Sequence, residues 1–407
     1  MSTRTRLRSA DLTGMKVRSS SRVVLLGPFG PPLLTFARSC AAQGIAAYLL
    51  EVGAPSVDRN TYSSCLQGIC FMRPEKLGTP EGIAEILAYA KSVCAEALVT
   101  VFDSQLLWLA RNRAELEPIC KLAAASAEAL TFLASKRNQI ELARTVGFDI
   151  LPTWLLSSPR DGEGIPLGCF PLCLRPSSPA DVQPTFKVRV MYSPAELNDF
   201  LEAHQCLGEP LIAQPFLHLP NLVVHGVRSE TGRILAMKAF LVPRKFEGVT
   251  LSMKHFELAP DIEDSCRAFA DASGITGCFH YELLFDRARN RAYFLEINAR
   301  LGGTTDLAFR LGFDEPALTL AAYGLKAHQG GRYFMTSRGQ VVRKRFLLKH
   351  ILAACKGGLC DLDFPPVDRI RHIARSCFEM SFVSDSIFSW RDLRGSLWFY
   401  SRKPSEH

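Results

Sequence analysis

Short apolar runs alternate with longer amphipathic stretches in the first third of the chain. Arg22-Val23-Val24-Leu25-Leu26 reads as a strand that enters the turn Gly27-Pro28-Phe29-Gly30-Pro31-Pro32. A helical stretch over 33–43 stops at Gly44, and 45–50 reads as the next strand with Glu51 at its end, a β-turn-α-β unit. The alternation continues through a helix over 81–93, a strand over 97–101 and a helix over 104–112. A small α/β domain with a parallel sheet, Rossmann-like in its alternation, is the simplest account of residues 21–125.

The pattern changes near Ser126. Residues 135–147 read as a helix stopped by Gly147, and strands dominate from there on. Pro171-Leu172-Cys173-Leu174-Arg175-Pro176 is an apolar run ending in a cation, followed by a loop over 177–186. Leu211-Ile212-Ala213-Gln214-Pro215-Phe216 is another apolar run. Stretches 223–228 and 233–241 bracket the turn Ser229-Glu230-Thr231-Gly232 as a hairpin, and 262–273 is helical. Tyr281-Glu282-Leu283-Leu284-Phe285-Asp286 and the run 294–303 then form a second hairpin across the polar turn 287–291. Strands followed by helices around one site mark an α+β unit over 126–330. The stretch 331–407 is basic and aromatic, with Trp390 and Trp398, and is expected to be an appended small domain or a lid.

Composition narrows the class. At 407 residues and 47% hydrophobic content the chain is long enough for two or three packed units with real cores. No apolar run approaches the roughly 20 residues of a membrane span, and no apolar segment follows the basic start as a signal peptide requires. Residues 1–20 carry Arg4, Arg6, Arg8, Lys16 and Arg18 against Asp11 and are expected to be a disordered tail; an organelle transit peptide, similar in composition, is the alternative. That tail supplies half of the net charge of +8. The mildly basic remainder shows no basic stripe interleaved with stacking aromatics, so neither nucleic acid nor membrane is an expected partner. The 13 cysteines are scattered without a C-x-x-C pair, which suits reduced thiols in a cytoplasm.

Candidate chemistry concentrates late in the α+β unit. Glu296, Asn298 and Arg300 alternate along Phe294-Leu295-Glu296-Ile297-Asn298-Ala299-Arg300-Leu301-Gly302-Gly303, so they point one way from a strand. If the hairpin is centred on Arg289, Glu282 faces Glu296, and facing side chains have Cβ atoms about 4.5 to 5.5 Å apart. Two carboxylates so placed repel unless a divalent cation lies between them, and Mg²⁺ takes such oxygens while keeping positions for phosphate. The competing reading is an exposed hairpin whose acids sit in water beside Arg287, Arg289 and Arg291; a register slip of one residue would produce it. Gly27-x-x-Gly30 lacks the G-x-G-x-x-G spacing of a dinucleotide site. Cys278 and His280, with His255, suggest a metal or thiol centre, but one intervening residue is not zinc spacing.

Taken in order along the chain, these motifs resemble those of the ATP-grasp superfamily of ligases across residues 21–325. Glu296-Ile297-Asn298-Ala299-Arg300 is similar to the family's E-x-N-x-R element, and Glu282 stands where the family keeps its other metal ligand. Lys136 and Arg175 (in Arg175-Pro176-Ser177, similar to the R-P-S element of carbamoyl phosphate synthetase halves) resemble the cations on the nucleotide phosphates. Gln214-Pro215-Phe216 resembles the hinge that pairs with adenine. The resemblance implies an ATP-grasp fold after a Rossmann-like domain, with ATP and one or two Mg²⁺ ions as cofactors, held by Glu282, Glu296 and Asn298, and Arg300 beside the transferred phosphate. It implies carboxylate activation through an acyl phosphate and C–N bond formation with an amine, an amino acid or peptide-like acceptor being the first expectation. A surface-polysaccharide-modifying ligase and a nucleotide-binding module without turnover are the alternatives, and a homodimer is compatible with the family. The glycine-free loop 177–186 departs from the glycine-rich flap of relatives, and no acidic residue follows Glu209 near the hinge to hold a ribose.

Overall fold

The computed structural model describes residues 21–53, 62–325 and 339–401. The basic stretch 1–20, expected to be a tail, lies outside them. β1 (Arg22–Leu26), β2 (Ala46–Val52), β3 (Leu66–Met72), β4 (Ala97–Thr100) and β5 (Lys121–Leu122) form a parallel sheet in the order β3-β2-β1-β4-β5. Their parallel pairing, with helices between successive strands, is the α/β architecture expected of this part of the chain. β3 lies outside the predicted elements because Gly68 interrupts its apolar run, and its strand is mostly half-buried at the sheet edge. The first helix starts at Pro31, two residues earlier than predicted, since a proline at the first helical position lacks only an N–H that would have no partner. Gly27 has a packing reason: it adopts φ +130°, and a Cβ there would lie 3.0 Å from the Phe102 ring.

After the helix Ala127–Ala134, the helix Lys136–Thr145 leads into a smaller antiparallel sheet. It contains β6 (Trp154–Leu156) and β7 (Leu172–Arg175); β8 (Val182–Gln183) leaves it, β9 (Arg189–Met191) returns, β10 (Gln205–Cys206) pairs with β8, and β11 (Leu211–Pro215) runs centrally in the order β6-β11-β7-β9. The largest sheet uses β12 (Asn221–Arg228), β13 (Ile234–Phe246), β14 (Val249–Phe256), β15 (Gly277–Asp286), β16 (Arg291–Asn298), β17 (Gln340–Val342) and β18 (Ser384–Asp385), in the order β16-β15-β12-β13-β14-β17-β18. β13 runs five residues past the predicted end at Leu241. Pro243 reads as a strand stop, but a register shift between Leu241 and Arg244 absorbs it.

Residues 339–401 contact both the large sheet and the N-terminal unit. β17 and β18 extend the large sheet, and the helices Lys344–Cys355 and Arg369–Phe382 pack together beside it. Arg244 of β13, fully buried, donates to Glu379 Oε2 at 2.6 Å and Ser376 Oγ at 2.7 Å. Arg38 of the N-terminal unit donates to Asp392 Oδ2 at 2.9 Å and to the Ile387 carbonyl at 2.6 Å. Among the described residues no helix is long and apolar enough to cross a membrane.

Candidate functional site

The β15–β16 hairpin sets the carboxylates opposite each other by a route the sequence did not predict. Asp286 pairs with Arg291, so the turn is centred between Ala288 and Arg289 rather than on Arg289. Asp286 Oδ1 accepts the N–H groups of Ala288 (3.0 Å) and Arg289 (3.2 Å), and Asn290 supplies a φ of +50°. In that register Glu282 would meet Leu295. A bulge between the 282 and 283 pairs leaves Leu295 as the extra residue, and Glu282 pairs with Glu296. The strand then ends at Asn298, four residues short of Gly302, so Arg300 projects from the bend that follows it.

Gln139 fixes this strand against the helix that carries Lys136. Its buried side chain accepts from the Ile297 N–H at 2.9 Å and donates to the Ile297 carbonyl at 3.1 Å. Ser135 caps that helix, and its hydroxyl also donates to Glu209 Oε2 at 2.8 Å, which accepts Ser177 Oγ at 2.9 Å as well. The helix start is thereby tied to the loop after β7. That glycine-free loop holds a capped turn at Pro179–Asp181 and β8, which pairs with β10.

The seven predicted residues converge on one cleft. Lys136 Nζ lies 3.2 Å from Glu296 Oε2 and donates to the Pro176 carbonyl at 3.0 Å. Arg175 Nη1 is 3.9 Å from the same Glu296 oxygen, while its Nη2 donates to Gln214 Oε1 at 2.8 Å. Gln214 is buried in β11 and passes its own amide hydrogen to Thr153 Oγ1 at 2.9 Å, so its side chain braces Arg175. Asn298 Nδ2 donates to Glu296 Oε1 at 3.2 Å, and Asn298 Oδ1 accepts from Arg300 Nη2 at 3.4 Å. Arg300 Nε stands 2.7 Å from Asp103 Oδ2 of the N-terminal unit. The predicted buried strand is therefore the half-buried wall of a cleft, with side-chain exposures of 20% at Glu296 and 34% at Glu282.

Charge is unevenly shared between the two carboxyls. Burial and the facing Glu296 raise the Glu282 carboxyl above its ordinary value, against the lowering effect of Arg175, Arg300 and Lys136. Burial also pushes Glu296 up, but Lys136, Arg175 and the Asn298 amide outweigh it and hold it ionised. Glu282 is the member that takes up a proton first. Among the described residues no group of three His, Cys, Asp or Glu side chains could hold a metal. Two facing carboxylates with one amide oxygen fit a cation that takes its other oxygens from water and phosphate, as Mg²⁺ does, and do not fit an all-protein cage.

Several groups in or beside the cleft lay outside the predicted set. Lys245 Nζ donates to Asn221 Oδ1 at 2.9 Å and stands 5.6 Å from the Phe364 ring. Burial brings it down to about 8, although Glu282 and Cys173 pull the other way. It was missed because the strand reading stopped at Leu241, short of Pro243. His280 Nε2 lies 3.8 Å from Glu282 Oε1 and its ring stacks on His225 at 5.4 Å. His225 in turn meets Glu315 at 3.2 Å and Thr304 Oγ1 at 3.0 Å. Gly302 is required beside that ring, since a Cβ there would fall 2.2 Å from His280 Cε1. Burial raises the Cys278 thiol far above its ordinary value, which keeps it protonated and unsuited to thiolate chemistry.

No protein-family model matches the chain, and no curated protein matches it. Solved structures do. A biotin carboxylase from Campylobacter jejuni, solved as a beta-gamma-ATP complex, aligns with a TM-score of 0.60 at 13% identity over 88% of this chain and 96% of that one. An L-amino acid ligase from Bacillus licheniformis aligns at 0.57 and 14% identity, over 76% of each chain. An N5-carboxyaminoimidazole synthetase from Staphylococcus aureus, complexed with ADP, aligns at 0.56 and 13% identity, over 76% of this chain and 80% of that one. At these identities the likeness is one of fold: a parallel α/β sheet followed by largely antiparallel sheets.

Proposed function

We propose that this protein is an ATP-dependent ligase that joins a small carboxylate to an amine through an acyl phosphate, with an amino acid or peptide as acceptor. The observation that carries the reading is the pairing of Glu282 with Glu296 in register, beside Lys136 at 3.2 Å and Arg175 at 3.9 Å from one Glu296 oxygen. Facing acids next to fixed cations make a cleft suited to a metal–phosphate complex. Phosphoryl transfer needs such positioning and charge stabilisation and no protein nucleophile. In this reading residues 21–125 are the domain preceding the ATP-grasp unit of 126–330, and 331–407 is the C-terminal extension, whose β17 and β18 add to the large sheet.

Each residue has a distinct task. Lys136 and Arg175 hold nucleotide phosphates, Arg175 through a guanidinium that Gln214 keeps oriented, and the segment after Gln214 lies at the adenine end. Glu282, Glu296 and Asn298 would hold one or two Mg²⁺ ions, which when bound supply positive charge to the phosphate oxygens. Arg300 faces the phosphoryl group in transit, its charge persisting at any working pH. A substrate carboxylate oxygen bonds to the terminal phosphorus as the bond to ADP breaks, ADP leaving with the electron pair. The amine then attacks the acyl carbon, the C–O bond breaks, phosphate leaves with that pair and the amine proton passes to solvent.

A screen of carboxylates with amines, read by ADP release and product mass, tests the function. ADP should form only when both substrates are present, and Glu296→Ala should abolish it while the circular dichroism spectrum is kept. Nucleotide binding with no turnover on any pair would favour a binding module instead, and unchanged ADP formation in the variant would remove Glu296 from the site.

A further inference from the structure

A set of buried polar groups lies behind the bend that carries Arg300. His225 on β12, His280 on β15 and Asn298 on β16 pair across the sheet in one row, next to the row of Val223, Glu282 and Glu296. Both histidines therefore share the face of the paired acids, yet His225 is wholly buried and His280 is 2% exposed. Gly302 lies against the His280 ring, where any Cβ would collide with it. Glu315 and Thr305, both fully buried, complete the set.

Every member bonds to the bend or to a group that does. His280 Nδ1 donates to the Arg300 carbonyl at 3.3 Å, since a carbonyl oxygen only accepts. The Gly302 N–H donates to Thr305 Oγ1 at 2.9 Å, and that hydroxyl donates to Glu315 Oε2 at 2.7 Å. His225 Nδ1 meets both Glu315 oxygens at 3.2 Å, while its Nε2 meets Thr304 Oγ1 at 3.0 Å. Arg343 of the C-terminal extension also donates to the Gly303 carbonyl. Apolar side chains of similar volume would pack behind the bend without the cost of desolvating these groups. What the polar set supplies is a fixed backbone path.

Arg300 needs that path because its own side chain is loosely held. Nη1 to the Leu301 carbonyl and Nη2 to Asn298 Oδ1 both span 3.4 Å. The Asp103 carboxylate, 2.7 Å from Nε, is 67% exposed and takes no hydrogen bond from that nitrogen. We propose that Thr305, Glu315, His225 and His280 are positioning residues that fix the 300–305 bend and so aim the Arg300 guanidinium at the phosphoryl group in transit. The role of Arg300 rests on the ligase reading, whereas the grip on the bend rests on these bonds alone.

Thr305→Val keeps the shape and removes the hydroxyl, leaving the Gly302 N–H and a Glu315 oxygen without that partner, and Thr305→Ser keeps the hydroxyl. Hydrogen exchange on the full chain should be faster in a peptide covering 300–305 of the valine variant and as in the wild type in the serine variant. With the substrate pair that releases ADP, Thr305→Val should lower kcat roughly ten-fold and leave the KM for ATP within about two-fold, and Thr305→Ser should restore most of the rate. In an Arg300→Ala background Thr305→Val should cost nothing further, because the two residues act as one unit. Unchanged exchange in the valine variant would overturn the proposal. So would a loss that multiplies with that of Arg300→Ala, which would show a general weakening of the fold instead. Were the wild type to release ADP with no pair, the aim of Arg300 would fall with the ligase reading, and exchange in the two Thr305 variants would separately uphold or overturn the grip on the bend.

Discussion

Replacing Glu282 by glutamine should stabilise the free protein while removing the magnesium-dependent chemistry proposed for it. Glu282 and Glu296 are paired in register, so their Cβ atoms lie about 5 Å apart by strand geometry, a separation that also scales the distance between their charges. At an effective dielectric of about 20, two negative charges at that distance repel by roughly 3 kcal/mol. Lys136 and Arg175 offset part of this at Glu296, and Glu282 keeps 34% exposure to screening solvent, which reduces the net gain to about 1 kcal/mol. Glutamine keeps the shape and removes the repulsion. The sign of the pH effect follows from a raised carboxyl: the folded state binds the proton more tightly than the unfolded chain, so this contribution is full below the ordinary value of 4.5 and is lost as pH climbs above it. Urea unfolding with EDTA should show the wild type losing stability relative to Glu282→Gln as pH rises from 4.5 toward neutrality. With Mg-ATP the order should reverse, because only the wild type gains from the cation. A glutamine variant no more stable than the wild type at pH 7.5 in EDTA would refute the like-charge reasoning.

Other substitutions probe the rest of the cleft and the frame around it. Arg175→Ala should weaken ATP binding by about ten-fold or more, the loss of a charge-assisted contact to phosphate; an unaltered affinity by calorimetry would take Arg175 out of the site. Lys245 is held near 8 against 10.5 for a free lysine, so the folded state resists protonation there. Its penalty is full below pH 8 and fades between about 8 and 10.5; urea midpoints across that window should rise in the wild type relative to Lys245→Met, and parallel curves would contradict the burial. Arg38→Ala leaves Asp392 buried without its ion pair and should cost about 3 to 5 kcal/mol in urea unfolding. A change under 1 kcal/mol would show that Ser63 and Ser64, which also donate to Asp392, suffice.

The sequence alone carried the elements whose signal is local. Apolar runs bounded by glycine and proline gave β1, β2 and β4 within two residues, and the alternation of Glu296, Asn298 and Arg300 put three polar groups on one side of a strand. Motif order carried the kind of fold, and the alignments with solved structures agree with it. What stayed hidden depends on partners far along the chain. β3 and β14 were not marked, because strand stability comes from neighbours in the sheet more than from intrinsic preference. Lys245 was hidden behind Pro243, which only a bulge within a paired strand can accommodate.

The pairing of Glu282 with Glu296 shows where the division falls. Residue identity and the two-residue period of a strand determined that these acids could share a face. Whether they did was a matter of register, and the turn as folded is centred half a residue from where that pairing requires. The bulge at Leu295 restores it, next to the backbone that Gln139 grips from another helix. Periodicity is a local property that a sequence displays directly. Register, burial and the charge that a carboxyl carries are set by contacts between segments distant in sequence, and only the assembled sheet decides them.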